Sequence, residues 1–126
     1  MSENIVEKTG KAGANLSGKQ YFAVKISASG AGTAANVPTV VLCGADEKPF
    51  GILLSEPESG QAALIQVSGE QTAISGGTIS AGDRLTVDAA GKVISATNTT
   101  TIGISIGNAL ADAVTADRVK ILIDKQ

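Results

Sequence analysis

Residues 118–123 read RVKILI, and apolar and charged side chains alternate along most of this stretch. An extended strand of this sequence places Val119, Ile121 and Ile123 on one face and the charged residues on the other. The sequence IGISI at 102–106 repeats the pattern with glycine and serine between the isoleucines. Both stretches indicate β-strands that are buried on one face.

Short runs of the same kind recur about every ten residues from Tyr21 onward, each bounded by Gly, Pro, Asn, Asp or Ser. This arrangement is typical of an all-β protein. The predicted strands are residues 20–26, 39–43, 50–54, 62–68, 71–74, 84–87, 92–96, 101–106 and 118–123. Glycine-containing turns are predicted at 68–70, 75–77 and 89–91. No helix is predicted. Only residues 108–117 could form a short helical turn, and they lie between two predicted strands and have the length of a loop.

The first 19 residues differ from the rest, since they hold three glycines and few sizeable apolar side chains. We predict a flexible N-terminal arm over residues 1–19 and a single β domain over 20–126, because 126 residues is the usual size of one domain. Ordering such an arm is costly in entropy, so we expect it to be mobile until a partner surface binds it.

A near-repeat is visible within the predicted domain. Val41 and Val93 each begin an apolar pair, and a glycine in a similar context follows ten residues later, in FGI at 50–52 and IGI at 102–104. The match is either a coincidence among simple β patterns or the sign of a barrel or sandwich built from two similar halves. Five residues on apolar strand faces are assigned to the core: Ile52, Leu64, Val87, Ile104 and Ile121.

Composition excludes several classes of function. About a quarter of the chain is Leu, Ile, Val or Phe, so it should fold, but it contains no His, the side chain most used for proton transfer and metal binding. The lone Cys43 forms no internal disulfide and has no neighbouring cation cluster, which indicates an inert thiol made in a reducing compartment. Apolar runs are far shorter than the roughly 20 residues that cross a bilayer. Ten scattered basic residues form no nucleic-acid-binding stripe.

Two patterns resemble chemical sites but have simpler explanations. Residues 30–35, GAGTAA, match a dinucleotide fingerprint, yet they lead into another strand instead of a helix and are predicted to be a flexible loop. Carboxylate pairs at 46/47, 56/58 and 112/117 lack the spacing of a calcium loop and are interpreted as solvated surface charges. The sequence therefore predicts no catalytic, cofactor or metal site.

Residues 18–124 resemble the small capsid decoration, or cement, proteins of tailed bacteriophages. The resemblance depends on the order of three phrases. These are FGILLSEPESGQAALIQVSG at 50–69, SAGDRLTVDAAGKVI at 80–94, and IGISI at 102–106 followed by RVKILI at 118–123.

The resemblance implies a small β-barrel or tulip-like domain that binds the outside of an assembled capsid and stabilises it by clamping major capsid protein subunits, without catalysis. It also implies a homotrimer, at least on the capsid, and a virion protein made in the host cytoplasm. The longer loop at 27–38 and the polar arm depart from the family pattern. The candidate capsid contacts are five residues of the arm: Asn4, Ile5, Val6, Lys8 and Lys11.

Two other functions remain open at this stage. One is a ligand-binding β module, for instance for carbohydrate, although only Tyr21, Phe22 and Phe50 could supply the aromatic platforms that sugar sites use. The other is an enzyme that uses loop carboxylates.

Overall fold

A computed structural model describes residues 6–27, 38–45, 47–96 and 106–124. It confirms an all-β protein, with nine strands and no helix in those ranges. The strands are β1 Val6–Ala12, β2 Ala23–Ile26, β3 Thr39–Leu42, β4 Gly51–Leu53, β5 Ala62–Ile74, β6 Arg84–Val87, β7 Val93–Ser95, β8 Gly107–Ala109 and β9 Arg118–Ile123. They form one sheet in the order β1-β3-β2-β4-β5-β9-β8-β6-β7.

The first five strands close into a barrel, because β1 pairs with β3 on one side and with β5 on the other. The β1–β3 pair is parallel and the other four pairs are antiparallel. A closed barrel leaves no edge strand along its wall. We call strands β1 to β5 the first barrel.

The second half of β5 begins another five-stranded unit, with β6 to β9, which we call the second barrel. Residues Gly69–Ile74 pair with β9, and a parallel bridge from Ser75 to Val93 closes the ring against β7. The turn predicted at 68–70 is wrong: the chain continues as one strand through Gly69, which has a φ of 97°. Such a conformation is open to glycine at little cost.

The two barrels have the same topology. Each has one parallel closure and four antiparallel pairs in the same chain order. Three backbone N–H to C=O hydrogen bonds of the first barrel also have a counterpart in the second. The bond from Gly13 to Val40 (2.8 Å) corresponds to that from Gly76 to Val93 (2.8 Å), and the bond from Ala12 to Gln61 (2.9 Å) corresponds to that from Ser75 to Asp117 (2.8 Å). The bond from Leu54 to Leu64 (2.8 Å) corresponds to that from Leu110 to Lys120 (2.8 Å). The structure therefore contains two similar halves that share β5.

The alignment of these halves differs from the sequence-based one. Gly51 lies opposite Val24 in the β2–β4 pair, and Gly107 lies opposite Leu85 in the corresponding β6–β8 pair. The counterpart of Gly51 is thus Gly107, whereas the 102–104 match falls outside the described residues.

Two buried clusters form the core. One fills the first barrel, and the other fills the second and reaches apolar side chains on the outer wall of the first. Ile52, Val87 and Ile121 are buried, as predicted. The prediction for Leu64 is wrong, because β5 points Ile65 inward and leaves Leu64 39% exposed. Ile104 lies outside the described residues.

The N-terminal segment also differs from the expected arm. Residues 6–12 form β1, which contributes a wall of the first barrel, and Leu16 is buried in its core. The chain orders here because β1 exchanges backbone hydrogen bonds with neighbouring strands, which offsets the entropy cost.

Candidate interaction surface

The N-terminal contact residues lie on the barrel wall, as far as the structure describes them. Val6 is half-buried opposite Ser68, and the exposed Lys8 and Lys11 lie on β1. Because side chains alternate along a strand, Lys8 and Lys11 point to opposite faces. The structure therefore does not bring the two lysines into one patch. Asn4 and Ile5 lie outside the described residues.

A different surface carries exposed apolar side chains. The large ones among the described residues are Ile26, Leu64, Leu110, Val114 and Leu122. Three of them fall between residues 110 and 122, where their exposed fractions are 38% to 57%. We call Leu110, Val114, Lys120 and Leu122 the 110–122 face.

Backbone contacts connect parts of this face. The N–H of Leu110 donates to the Lys120 carbonyl at 2.8 Å. Leu122 shares the exposed side of β9 with Lys120, because burial alternates along the strand. Leu110, Lys120 and Leu122 thus combine apolar area with a cation on the wall of the second barrel, and Val114 lies in the loop that precedes β9.

The first barrel supplies an internal comparison for this face. The positions equivalent to Val114 and Leu122 hold Glu58 and Gln66, since Glu58 and Val114 begin matching turns and Gln66 and Leu122 pair with β4 and β8 respectively. Glu58 is exposed, whereas Gln66 is buried. The fold therefore does not require apolar residues at these two positions.

An open groove of about 310 Å³ adjoins Val114. It runs between residues 78–80 and residues 112–117, along the bridge that joins Ile79 to Ala113. Its two carboxylates both accept backbone hydrogen bonds, Asp112 from Ala81 and Asp117 from Val114. They hold the groove walls in place.

Several of the carboxylates interpreted as solvated charges in fact anchor loops. The hydrogen bonds join Glu56 to Gly18 N–H (2.7 Å), Glu47 to Gly44 N–H (2.7 Å), Asp112 to Ala81 N–H (2.7 Å) and Asp117 to Val114 N–H (3.0 Å). Asp46 lies outside the described residues.

Local hydrogen bonds shift the pKa of two acidic groups. The Lys25 ammonium, which is hydrogen-bonded to Glu47, lowers the pKa of that carboxyl, and the Gly44 N–H adds to the effect. The Ser95 hydroxyl, at 2.6 Å from Asp83, lowers the pKa of Asp83. Both carboxylates are thus held in their charged form.

The Cys43 thiol has the opposite environment. Burial, together with the nearby Glu47 charge, raises the pKa of the thiol to about 11. Since the thiolate is the reactive form, Cys43 is inert near neutral pH. This agrees with the prediction from its sequence neighbourhood.

The described ranges contain no group of three or more His, Cys, Asp or Glu side chains that could hold a metal ion. They also contain no helix long and apolar enough to span a membrane. The three aromatic rings are all half-buried, with Lys19 over Phe22 at 5.0 Å and Arg118 over Tyr21 at 5.4 Å.

The sequence analysis missed the 110–122 face, although one signal was present. In RVKILI the side that holds Arg118 and Lys120 also holds Leu122, an apolar residue on an otherwise charged face. Leu110 and Val114 lay in a predicted loop, where an apolar residue shows no periodicity.

Comparison with known proteins gives one family match and several structural matches. Residues 18–124 match the family model described as phage cement protein. Among seven matching chains of solved structures is the crystal structure of the head fiber gp8.5 N base of bacteriophage phi29. It has a TM-score of 0.72 and 17% sequence identity, over 97% of this chain and 98% of that one. At this identity the similarity concerns the fold. No curated protein matches the chain.

Proposed function

This chain belongs to the phage cement protein family, and from that membership we propose that it binds the outer surface of an assembled capsid and clamps neighbouring major capsid subunits without covalent bonds. The family itself supports a structural, capsid-associated role. The match over residues 18–124 is the single observation that carries the proposal, because it covers β2 to β9, which are all the strands except β1. In this role the protein catalyses no reaction and resides on the virion exterior after synthesis in the host cytoplasm.

The 110–122 face is the proposed capsid contact. Its apolar side chains are exposed in the isolated chain, and covering them would release water from their surface. Val114 and Leu122 occupy positions where the first barrel has polar residues, which supports a role beyond folding. The N-terminal residues Asn4, Ile5, Val6, Lys8 and Lys11 remain a separate prediction as capsid contacts.

We further propose that the protein acts as a homotrimer on the capsid. A closed ring of three copies offers one face per copy to neighbouring subunits. Several weak contacts then act together, so that the assembly binds more tightly than a single copy does. Light scattering of the free protein tests whether the trimer forms before binding.

A capsid titration tests the role and the face together. The double variant Val114→Glu, Leu122→Gln replaces each residue by the one at the equivalent position of the first barrel. Removing two half-exposed apolar contacts costs about 1 to 2 kcal/mol each, and about 1.4 kcal/mol corresponds to a tenfold change in affinity. Co-sedimentation with capsids of its own phage should therefore show at least a tenfold loss of affinity.

The matched control is Ile26→Thr, which removes an exposed apolar side chain from the first barrel. We expect it to bind like the unmodified protein, with circular dichroism confirming that all variants are folded. Equal binding by the double variant would exclude the 110–122 face. Failure of the unmodified protein to sediment with capsids would contradict the capsid role itself.

A further inference from the structure

The closure of the two barrels differs at one point. In the first barrel the Lys11 N–H donates to the Pro38 carbonyl at 2.8 Å, which joins β1 directly to the start of β3. The equivalent residues of the second barrel are Ile74 and Gly91, as the flanking Gly13–Val40 and Gly76–Val93 bonds establish. In the second barrel, Ile74 and Gly91 do not bond to each other but to other residues.

A segment of the first barrel occupies this gap. The Ile74 N–H donates to the Tyr21 carbonyl at 3.2 Å, and the Ala23 N–H donates to the Gly91 carbonyl at 2.8 Å. The backbone of residues 21–23 is thereby inserted into the seam of the second barrel. The Ile74 N–H and the Gly91 carbonyl, whose counterparts in the first barrel bond to each other, therefore both bond to residues of the first barrel instead.

The conformation of Tyr21 is specialised for this insertion. Its φ is 73°, a left-handed value that residues other than glycine rarely adopt, and its counterpart in the second barrel is Gly82, with φ 91°. The two residues make the same hydrogen bond, Tyr21 to Leu53 at 2.7 Å and Gly82 to Ala109 at 2.8 Å. A tyrosine therefore stands where the shared topology places glycine.

The Tyr21 side chain accounts for its presence. The ring packs against the core of the second barrel, and the Arg118 guanidinium lies 5.4 Å from its centroid. Burial of the ring and the cation–π contact offset the cost of the backbone conformation. On the other side of the seam, a Cβ on Gly91 would meet Leu42, the Ala23 carbonyl and Phe22 at 3.2 to 3.4 Å.

We propose that residues 21–23 are a conformational latch between the barrels. In the closed state they complete the seam of the second barrel and hold the two barrels as one body. In the open state the Ile74 N–H bonds directly to the Gly91 carbonyl, as Lys11 bonds to Pro38 in the first barrel, and the barrels stay connected through the shared strand β5 without this clasp. This inference goes beyond the capsid role and does not depend on it.

Hydrogen exchange of individual amides tests the latch with a matched pair of variants. Gly91→Ala adds a methyl group that presses on the first barrel, whereas Gly82→Ala adds one into open space. Both glycines have a positive φ, so the backbone strain is comparable. We expect the Ala23 amide to exchange at least tenfold faster in Gly91→Ala than in Gly82→Ala.

The Ile74 amide distinguishes latch opening from general loosening. It should stay protected in Gly91→Ala because it transfers to the carbonyl of residue 91, and the Leu54 amide, bonded within the first barrel, should be unchanged. Equal exchange of the Ala23 amide in the two variants would overturn the proposal. So would equal acceleration of the Ala23 and Ile74 amides, since the seam would then not reclose.

A second pair of variants applies if Gly91→Ala does not fold. Tyr21→Gly keeps the left-handed backbone but removes the ring, and Tyr21→Phe keeps the ring. The latch predicts faster exchange of the Ala23 amide in Tyr21→Gly and unchanged exchange in Tyr21→Phe. The same rate in both variants would contradict it.

Discussion

Two adjacent side chains of β5 differ sharply in burial. Ile65 is fully buried in the first barrel, whereas Leu64 faces outward opposite Thr9. Truncating Ile65 to alanine removes buried methyl groups and leaves a cavity, so we expect a loss of about 2 to 5 kcal/mol. Leu64→Ala should cost less than about 1 kcal/mol, as expected for a partly exposed site.

Urea melts of both variants measure these losses. Equal losses for Leu64→Ala and Ile65→Ala would contradict the assigned strand faces. The inward face of this strand could not be predicted from its sequence, because residues 62–65 read AALI and are apolar on both faces. In RVKILI the charges identify the outward face, and the burial of Val119, Ile121 and Ile123 agrees with that prediction.

At the scale of elements, β4 and β8 each begin with a glycine that approaches the next strand closely. A Cβ on Gly51 would collide with the Gln66 carbonyl, and one on Gly107 would collide with the Leu122 carbonyl. Backbone atoms cannot move aside without disturbing the strand pairing. Alanine at either position should therefore cost about 3 kcal/mol or more, at the upper end of overpacking effects.

Gly77 is the matched control, because a Cβ there meets only Ile94 at an ordinary 3.9 Å. Gly77→Ala should change the free energy of unfolding by less than about 1 kcal/mol. Thermal melts compare the three variants. A mild effect at Gly51 or Gly107 would show that the barrel wall adapts more easily than the structure indicates.

The strands were largely predictable, with two exceptions: β8 (Gly107–Ala109), which follows the strand predicted at 101–106 and overlaps the predicted loop at 108–117, and β1. β6 is predicted with its observed bounds, as is β9, but the VEKTGKA sequence of β1 shows no apolar alternation. The reason is steric: a Cβ at the inward Gly10 would meet the Pro38 carbonyl at 2.9 Å and Ile65 at 3.1 Å. Small inward residues fit this wall, and they leave no hydrophobic signal in the sequence.

Across the whole molecule, the two barrels have the same topology but different residue types at equivalent outward-facing positions. Ile52 on the outer wall of the first barrel is apolar and buried against the second, and its counterpart is Asn108. Asn108 accepts a hydrogen bond from Arg84 at 2.7 Å, so the second barrel has a polar side chain where the first has an apolar one.

The difference between the outward-facing residues of the two barrels also explains why the proposed capsid contact could be predicted only in part. The family resemblance indicated a capsid-associated role, but which surface makes contact depends on which strand positions face outward in the folded barrels. Val114 and Leu122 become distinctive only beside Glu58 and Gln66, and that comparison requires the strand pairing. The sequence alone predicted the N-terminal residues as the contact, but Lys8 and Lys11 point to opposite faces of β1.

A reconstruction of capsids saturated with this protein tests whether it clamps the outer capsid surface. We expect density for both barrels on that surface, in trimers whose 110–122 faces contact neighbouring major capsid subunits. Capsids that carry no such density, or isolated copies that each contact only one subunit, would contradict it.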